Sequence, residues 1–354
     1  MPTIRLAVIP GDGIGPEVVP QGLRVLQAAA DLHGGLHLEC AEFPWNCAHH
    51  LRHGAMMPQD GLRTLADFDA VFLGAVGHPD VPDHVSLWGL LIPIRRTFQQ
   101  YVNLRPVRLL RGIASPLAGR GPGDIDFVVV RENTEGEYSS IGGRIHEGTP
   151  HEVAAQVSHF SRMGVERIVR YALELAAGRR GELTVATKSN GIVHTMPFWD
   201  EVCRAAAAEY PGVRVRFAHI DALAAYFVSR PQTFDVVVGS NLFGDILTDL
   251  GAAVVGSIGI APSANLNPER RFPSLFEPVH GSAPDIAGRG IANPVGQIWT
   301  AKLLLDFFGA GEVGAAVLEA VEQTLEAGVR TPDLGGRATT VEVGDAVVER
   351  LRRA

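Results

Sequence analysis

The sequence predicts an α/β protein, and three observations carry that reading. Short apolar runs alternate with longer stretches of helical period through most of the chain. The first apolar run meets a glycine-rich turn, Gly11-Asp12-Gly13-Ile14-Gly15. A helical pattern follows, with Pro16 where a first helical turn accepts one. The length of 354 residues allows two domains.

Taken in order, the clearest strands are expected at residues 4–9, 70–73, 127–130, 183–186, 213–217 and 236–238. Helices are expected at 16–32, 160–177, 197–209, 242–255, 297–308 and 313–327. Residues 138–154, YSSIGGRIHEGTPHEVA, break the alternation. They change to period two around Gly142-Gly143 and read as a hairpin or arm with little core of its own. A protruding strand pair needs a partner surface.

Composition excludes several classes. The chain is 46% hydrophobic and 20% charged, ordinary for a globular protein, and its net charge of −8 argues against nucleic acid as a partner. The longest apolar stretch, 250–262, is too short and glycine-rich to span a bilayer. Cys40, Cys47 and Cys203 form no CxxC pair, and no basic-then-apolar leader opens the chain, so the expected compartment is the reducing cytoplasm.

The opening turn invites a dinucleotide reading, but its spacing differs from the G-x-G-x-x-G fingerprint. The third glycine comes one residue early, and Asp31 lies in or beside the first helix rather than at a strand end. A tight strand-to-helix turn is the simpler reading.

Stronger chemistry lies later. In SNLFGDILTDLG, residues 240–251, Asp245 and Asp249 are four apart and share one helix face. Alone, the pair reads as a solvated face. Apolar neighbours and a position just after a strand argue instead for a hard divalent cation that neutralises two like charges. Asp221 also closely follows a strand. Arg95, Arg105 and Arg131 could clamp a di- or tricarboxylate, although each alone reads as a surface ion-pair partner. Tyr138 lies close after Arg131, and Lys188 ends a strand, where burial can lower an amine's pKa toward that of a general base. Cys47, His49, His50 and His53 mimic a zinc spacing, but no glutamate occupies the H-E-x-x-H position. Their expected role, in a turn-rich stretch, is structural or superficial.

Six motifs in order carry a family resemblance: IPGDGIGPEVV (9–19), NLRPV (103–107), RENTEGEYSSIGGR (131–144), TKSNG (187–191), SNLFGDILTDLGA (240–252) and EPVHGSAPDIAGRGIANP (277–294). Together they resemble the β-decarboxylating dehydrogenases of 2-hydroxy acids, the isocitrate/isopropylmalate dehydrogenase-like enzymes. SLWG (86–89), RENTEGEYSSIGGR (131–144) and residues 261–286 look most like the tartrate/D-malate branch. The resemblance implies two domains around a mixed central sheet, not a standard Rossmann fold. Residues 1–100 plus 256–354 would bind cofactor. Residues 101–255 would bind substrate and metal and, through the arm, a second subunit.

It implies site roles as well. His280, Gly281, Ala283 and Asn293 would line the adenosine half of a cofactor cleft, with the opening glycine loop at its edge. Asp285 would take the ribose hydroxyls. Asp285-Ile286 favours NAD, because a 2′-phosphate would face a like charge. Asp245 and Asp249, with Asp221 from the other subunit of a homodimer, would hold Mn²⁺ or Mg²⁺, with K⁺ as an activator. Arg95, Arg105 and Arg131 would bind substrate carboxylates. Lys188, from across the interface, would deprotonate the 2-hydroxyl, and Tyr138 would protonate carbon after CO₂ leaves.

Substrate choice stays open between D-malate or tartrate (the branch reading), another malate analogue, and 3-isopropylmalate. The latter would suit apolar Leu90, Leu91 and Ile92 in a helix that Pro93 would kink. A non-catalytic paralogue is the remote alternative, although none of the site residues is missing.

Overall fold

The computed structural model describes residues 3–353. One ten-stranded sheet runs through the protein, with helices packed on both faces. Its strands are β1 Thr3–Gly11, β2 His37–Glu42, β3 Ala70–Ala75, β4 Val102–Arg108 and β5 Asp126–Glu132. A separate hairpin supplies β6 Gly142–Ile145 and β7 Val153–Gln156. The sheet continues with β8 Glu182–Thr187, β9 Arg214–His219, β10 Val236–Gly239, β11 Pro262–Leu266 and β12 Ser274–Pro278.

The strand order is β2-β1-β3-β12-β11-β4-β5-β10-β8-β9. Pairing is parallel except at β12–β11, β11–β4 and β4–β5. Three successive reversals make the outer groups β2-β1-β3-β12 and β5-β10-β8-β9 run in opposite senses. A doubly wound Rossmann sheet has no such seam.

Alternate residues of one strand feed different cores. Leu6 and Val8 of β1 and Phe72 of β3 belong to the larger cluster. Ala7, Ile9, Val71 and Leu73 belong to a smaller one with Trp45, Met56 and Phe98. Burial on both faces explains why these strands read as unbroken apolar runs.

All six expected strands and all six expected helices are present, within a few residues at their ends. Four strands are additional. β4 and β11 escape notice because buried asparagine and serine interrupt their apolar residues. Asn103 Nδ2 donates to Ser263 Oγ at 2.8 Å and to Asn265 Oδ1 at 3.0 Å, and Asn133 Nδ2 reaches the same Oδ1 at 2.9 Å. All four side chains are buried, and their mutual hydrogen bonds offset the loss of water. The helix Thr340–Leu351 is also additional, although its start carries a capping box, Thr339 with Glu342. The stretch around the histidines is a helix, Cys47–His53, rather than turn-rich. Asn46 caps it by accepting from His49 N at 2.8 Å. In the arm, Gly142-Gly143 lies within β6 rather than at the bend. A Cβ on Gly142 would overlap the Ala155 carbonyl oxygen across the ladder.

The opening glycines answer to backbone crowding. Gly11 and Gly13 have φ of +77° and +56°. A Cβ on Gly11 would strike the Ala75 carbonyl oxygen, and one on Gly13 the Ser282 carbonyl oxygen. The turn is thereby pressed against the loop after β12, where Ile14 N donates to Ser282 O at 2.8 Å. Gly13→Ala is expected to lose about 1–3 kcal/mol of stability from strain alone. Urea unfolding of the two proteins would measure it.

Candidate active site

The helix Asn241–Val254 begins directly after β10, capped by the Ser240 hydroxyl. Gly244 in its first turn lets it lie flat on the Arg131 side chain, which a Cβ there would displace. One residue on, Asp245 becomes the hub of the site. Its Oδ1 accepts from Arg105 Nη1 at 3.2 Å and from Arg131 Nη1, and its Oδ2 accepts from Tyr138 Oη at 2.6 Å. Asp249, one turn further and largely exposed, lies 3.9 Å from Arg105 Nη1.

Each arginine is held from a second side. Arg131, only 2% exposed, donates through Nε and Nη2 to Asn241 Oδ1 at 3.0 and 2.7 Å. Arg105 donates to Thr248 Oγ1 at 2.5 Å. Arg95 is buried against Glu277, Nη2 to Oε1 at 2.8 Å, and Asn265 Nδ2 donates to the same oxygen at 2.8 Å. The Tyr138 ring centroid lies 5.4 Å from the Arg131 guanidinium carbon.

Charge sets the protonation states. Burial pushes the Asp245 carboxyl up, but Arg131 and then Arg105 outweigh it and hold it below the usual carboxylate range. Burial raises Asp249, with Arg105 opposing and the Asp245 charge adding to the rise. Burial, then the hydrogen bond to Asp245, lifts the Tyr138 phenol to about 12, so it carries its proton at neutral pH. A carboxylate pair on one helix face, one member strained by its like-charged neighbour, is a donor set suited to a hard divalent cation.

Lys188 and Asp221 form their own pair, Nζ to Oδ2 at 2.9 Å, at the end of β8 and in the first turn of helix Ile220–Ser229. Lys188 draws the exposed Asp221 carboxyl downward. Among the described residues, no hydrogen bond or ion pair joins these two to the Asp245 cluster. Among the described residues no group of three His, Cys, Asp or Glu side chains is placed to hold a metal.

A second concavity lies at the loop after β12. It has a volume near 210 Å³ and mainly apolar walls, including Ile14, Ile258, His280, Ala283, Ile286 and Asn293. The buried His280 Nε2 has no hydrogen-bond partner, and burial holds the ring below its usual pKa, so the cavity wall includes a neutral imidazole with an unspent polar atom. That combination suits a cofactor's heterocycle. Two of the expected residues do not line it: Gly281 and Asp285 are both exposed outside its walls. Sequence reading missed Ser257, Gly259, Ile291 and Asp333, which come from separate loops. It also missed Glu17, which pins the loop by accepting from Gly288 N at 2.6 Å and Gly290 N at 2.9 Å. An acid in a first helical turn is too common to signal that role.

The segment before Arg95 corrects one expectation. Leu87–Leu91 is a π-helical turn leading into the α-helix Ile92–Thr97. Pro93 offers no N–H to the turn before it, and Ile92 N bonds back five residues to Leu87 O. Leu90 is fully buried among Trp45, Met56, Val81 and Ile94, so it packs the core and is not free to contact substrate. Leu91 is half-buried beside the same cluster. Among the described residues, the histidine stretch brings no three metal-ligating side chains together. His49 Nδ1 is bonded to Ala55 O at 2.7 Å and its ring stacks on His53.

With this geometry, the class follows from comparison with known proteins. Residues 5–347 match the description "Isocitrate/isopropylmalate dehydrogenase", and the chain belongs to that family. It is therefore an oxidoreductase of the decarboxylating-dehydrogenase class, acting on small molecules. It is 58% identical to a probable tartrate dehydrogenase/decarboxylase of Bacillus subtilis (strain 168), covering 100% of this chain and 99% of the relative. It is also 58% identical to the D-malate dehydrogenase [decarboxylating] of Escherichia coli (strain K12), covering 100% of both. The crystal structure of isocitrate dehydrogenase from Methylococcus capsulatus superposes with a TM-score of 0.87 at 32% identity, over 99% of each chain. No described helix is long and apolar enough to cross a membrane.

Leu90→Ala is expected to cost about 2–5 kcal/mol of stability, as core truncations do. The ranking of substrates by kcat/KM should not change. Denaturant unfolding and a substrate panel would read the two effects separately.

Proposed function

We propose that the chain catalyses NAD-dependent oxidative decarboxylation of D-malate, tartrate or both, D-malate giving pyruvate, CO₂ and NADH. One observation carries the reading: two guanidiniums and a protonated phenol converge on Asp245 beside a second carboxylate. That arrangement can bind a diacid, hold a cation and deliver a proton at one place. The names of the full-length relatives support the choice of substrate. The burial of Leu90 weakens the case for an alkyl pocket and hence for 3-isopropylmalate.

In this reading Asp245 and Asp249, with Asp221 of the partner subunit, hold Mn²⁺ or Mg²⁺, and K⁺ activates. Bound NAD would accept the C2 hydride, and the bound cation would act as Lewis acid at the 2-hydroxyl. The chain's own groups do the rest. Arg95, Arg105 and Arg131 orient the carboxylates. Lys188 of the partner subunit takes the hydroxyl proton. Cleavage of the bond to the β-carboxylate leaves an electron pair on C3, and Tyr138 Oη donates its proton there.

His280, Ala283, Ile286 and Asn293 enclose the adenosine half of NAD, with Gly281 and Asp285 at the rim toward the ribose. The strands from residues 3–75 and 262–278 form the cofactor half, corresponding to 1–100 plus 256–354. Residues 101–255 form the substrate half. A homodimer is supported by exposed apolar side chains on the arm, Ile141, Ile145, Val153 and Val157. Ile192 and Val193 beside Lys188 are exposed as well. The cytoplasm is supported by three unpaired cysteines.

The test is NADH formation with Mn²⁺ and K⁺ across D-malate, L- and meso-tartrate, 3-isopropylmalate and isocitrate. D-malate or a tartrate is expected to lead, and EDTA is expected to abolish turnover. A preference for 3-isopropylmalate would overturn the substrate assignment. The shared site predicts complementation. Tyr138→Phe and Lys188→Ala are each expected to form almost no pyruvate from D-malate, whereas exchanging their subunits should restore about a quarter of wild-type pyruvate formation, one intact site per mixed dimer. No recovery after exchange verified by mass spectrometry would rule out sharing.

A further inference from the structure

Arg96 belongs to neither the substrate clamp nor any ion pair among the described residues. Its guanidinium lies 5.0 Å from the centroid of the Trp88 ring, and its Nη2 donates to the main-chain carbonyl of Tyr138 at 2.7 Å. Trp88 stands in the π turn that leads to Arg95. Arg96 thus joins the segment carrying one substrate arginine to the backbone of the proton donor, from far away in sequence.

Three contacts fix Tyr138: its phenol on Asp245, its ring near Arg131 and its carbonyl on Arg96. The first two are shared with the chemistry. An Asp245 oxygen that ligates a cation, and an Arg131 that meets a carboxylate, each loosen their hold on the phenol as the site fills. The Arg96 bond is the contact that substrate and cation leave alone. It is charge-assisted, and the indole face partly compensates the charge without competing for the donor.

We propose that Arg96, braced by Trp88, is a positioning residue for Tyr138. It keeps the donor in place when the side-chain contacts are given over to ligands. The proposal rests on the reading of Tyr138 as the group that protonates C3. Proton delivery is sensitive to placement, a displacement of about 1 Å costing on the order of a hundredfold. The C2 hydride transfer does not involve Tyr138. A misplaced donor therefore slows the steps after oxidation and leaves hydride transfer intact.

The test uses the metal-loaded dimer with D-malate, measuring NADH, pyruvate and released oxaloacetate together. Arg96→Gln is expected to lower kcat for pyruvate at least about tenfold, to change KM for D-malate less than about threefold, and to release oxaloacetate in place of pyruvate. Its rate of pyruvate formation from added oxaloacetate should fall in proportion. Arg96→Lys, which keeps a cationic donor, should recover most of the loss. Trp88→Leu should give a smaller shift in the same direction. A wild-type ratio of pyruvate to NADH in Arg96→Gln overturns the proposal, as does a loss confined to KM. Should Arg96→Gln fail to fold, an unchanged product ratio in Trp88→Leu overturns the proposed bracing and a shifted one supports it. Tyr138→Phe separates the two levels. If it makes pyruvate at the wild-type rate, the donor assignment itself falls. If it is impaired while Arg96→Gln is not, only the positioning role falls.

Discussion

The contact between Arg131 and Asp245 is the constraint on which the site depends. Placing a guanidinium almost wholly out of water is costly unless it is paired and hydrogen-bonded. Here the Asp245 carboxylate and the Asn241 side-chain amide oxygen supply both, from one helix. That helix can approach only because residue 244 has no side chain. The phenol of Tyr138, the Arg105 fork and the exposed Asp249 then fall into place around a charge already fixed. Removing one partner would leave an uncompensated ion in the interior, which is why the cluster behaves as a unit.

The cavity at the loop after β12 is built on a different principle. Its walls come from the first turn, from a short 3₁₀ segment near residue 258, from the loop after β12 and from a loop near residue 333. What unites them is backbone contact: Gly13 pressed on Ser282, and the Glu17 carboxylate bridging two amides of the late loop. The glycine-rich opening therefore supports another loop's shape.

Much of this was legible in the residues. Strands with apolar faces on both sides announce themselves, as do amphipathic helices, and Asp245 with Asp249 stood out once their spacing was joined to apolar neighbours and a preceding strand. Other features were hidden for identifiable reasons. The strands β4 and β11 place asparagine and serine on a buried face, so neither reads as an unbroken apolar run. Leu90 looked available because its neighbours are apolar, and only the π turn shows which way it packs. Arg96 lies next to a more obvious arginine, and its value comes from a carbonyl 42 positions away, which sequence spacing does not encode. The late-loop cavity draws on four separated segments, so its lining was readable only where a motif spanned it.

The asparagine seam at the middle of the sheet has a consequence for how this chain can drift. Asn103, Asn133 and Asn265 meet at one oxygen, with Ser263 and Glu277 at the margins, and Glu277 also carries Arg95. An apolar seam tolerates exchange of one aliphatic residue for another of similar volume. A hydrogen-bonded one does not, because a single replacement strands its neighbours' donors without water. These positions are therefore tied together in inheritance. Loops and core side chains around them can diverge one at a time, while the seam changes as a block or stays as it is.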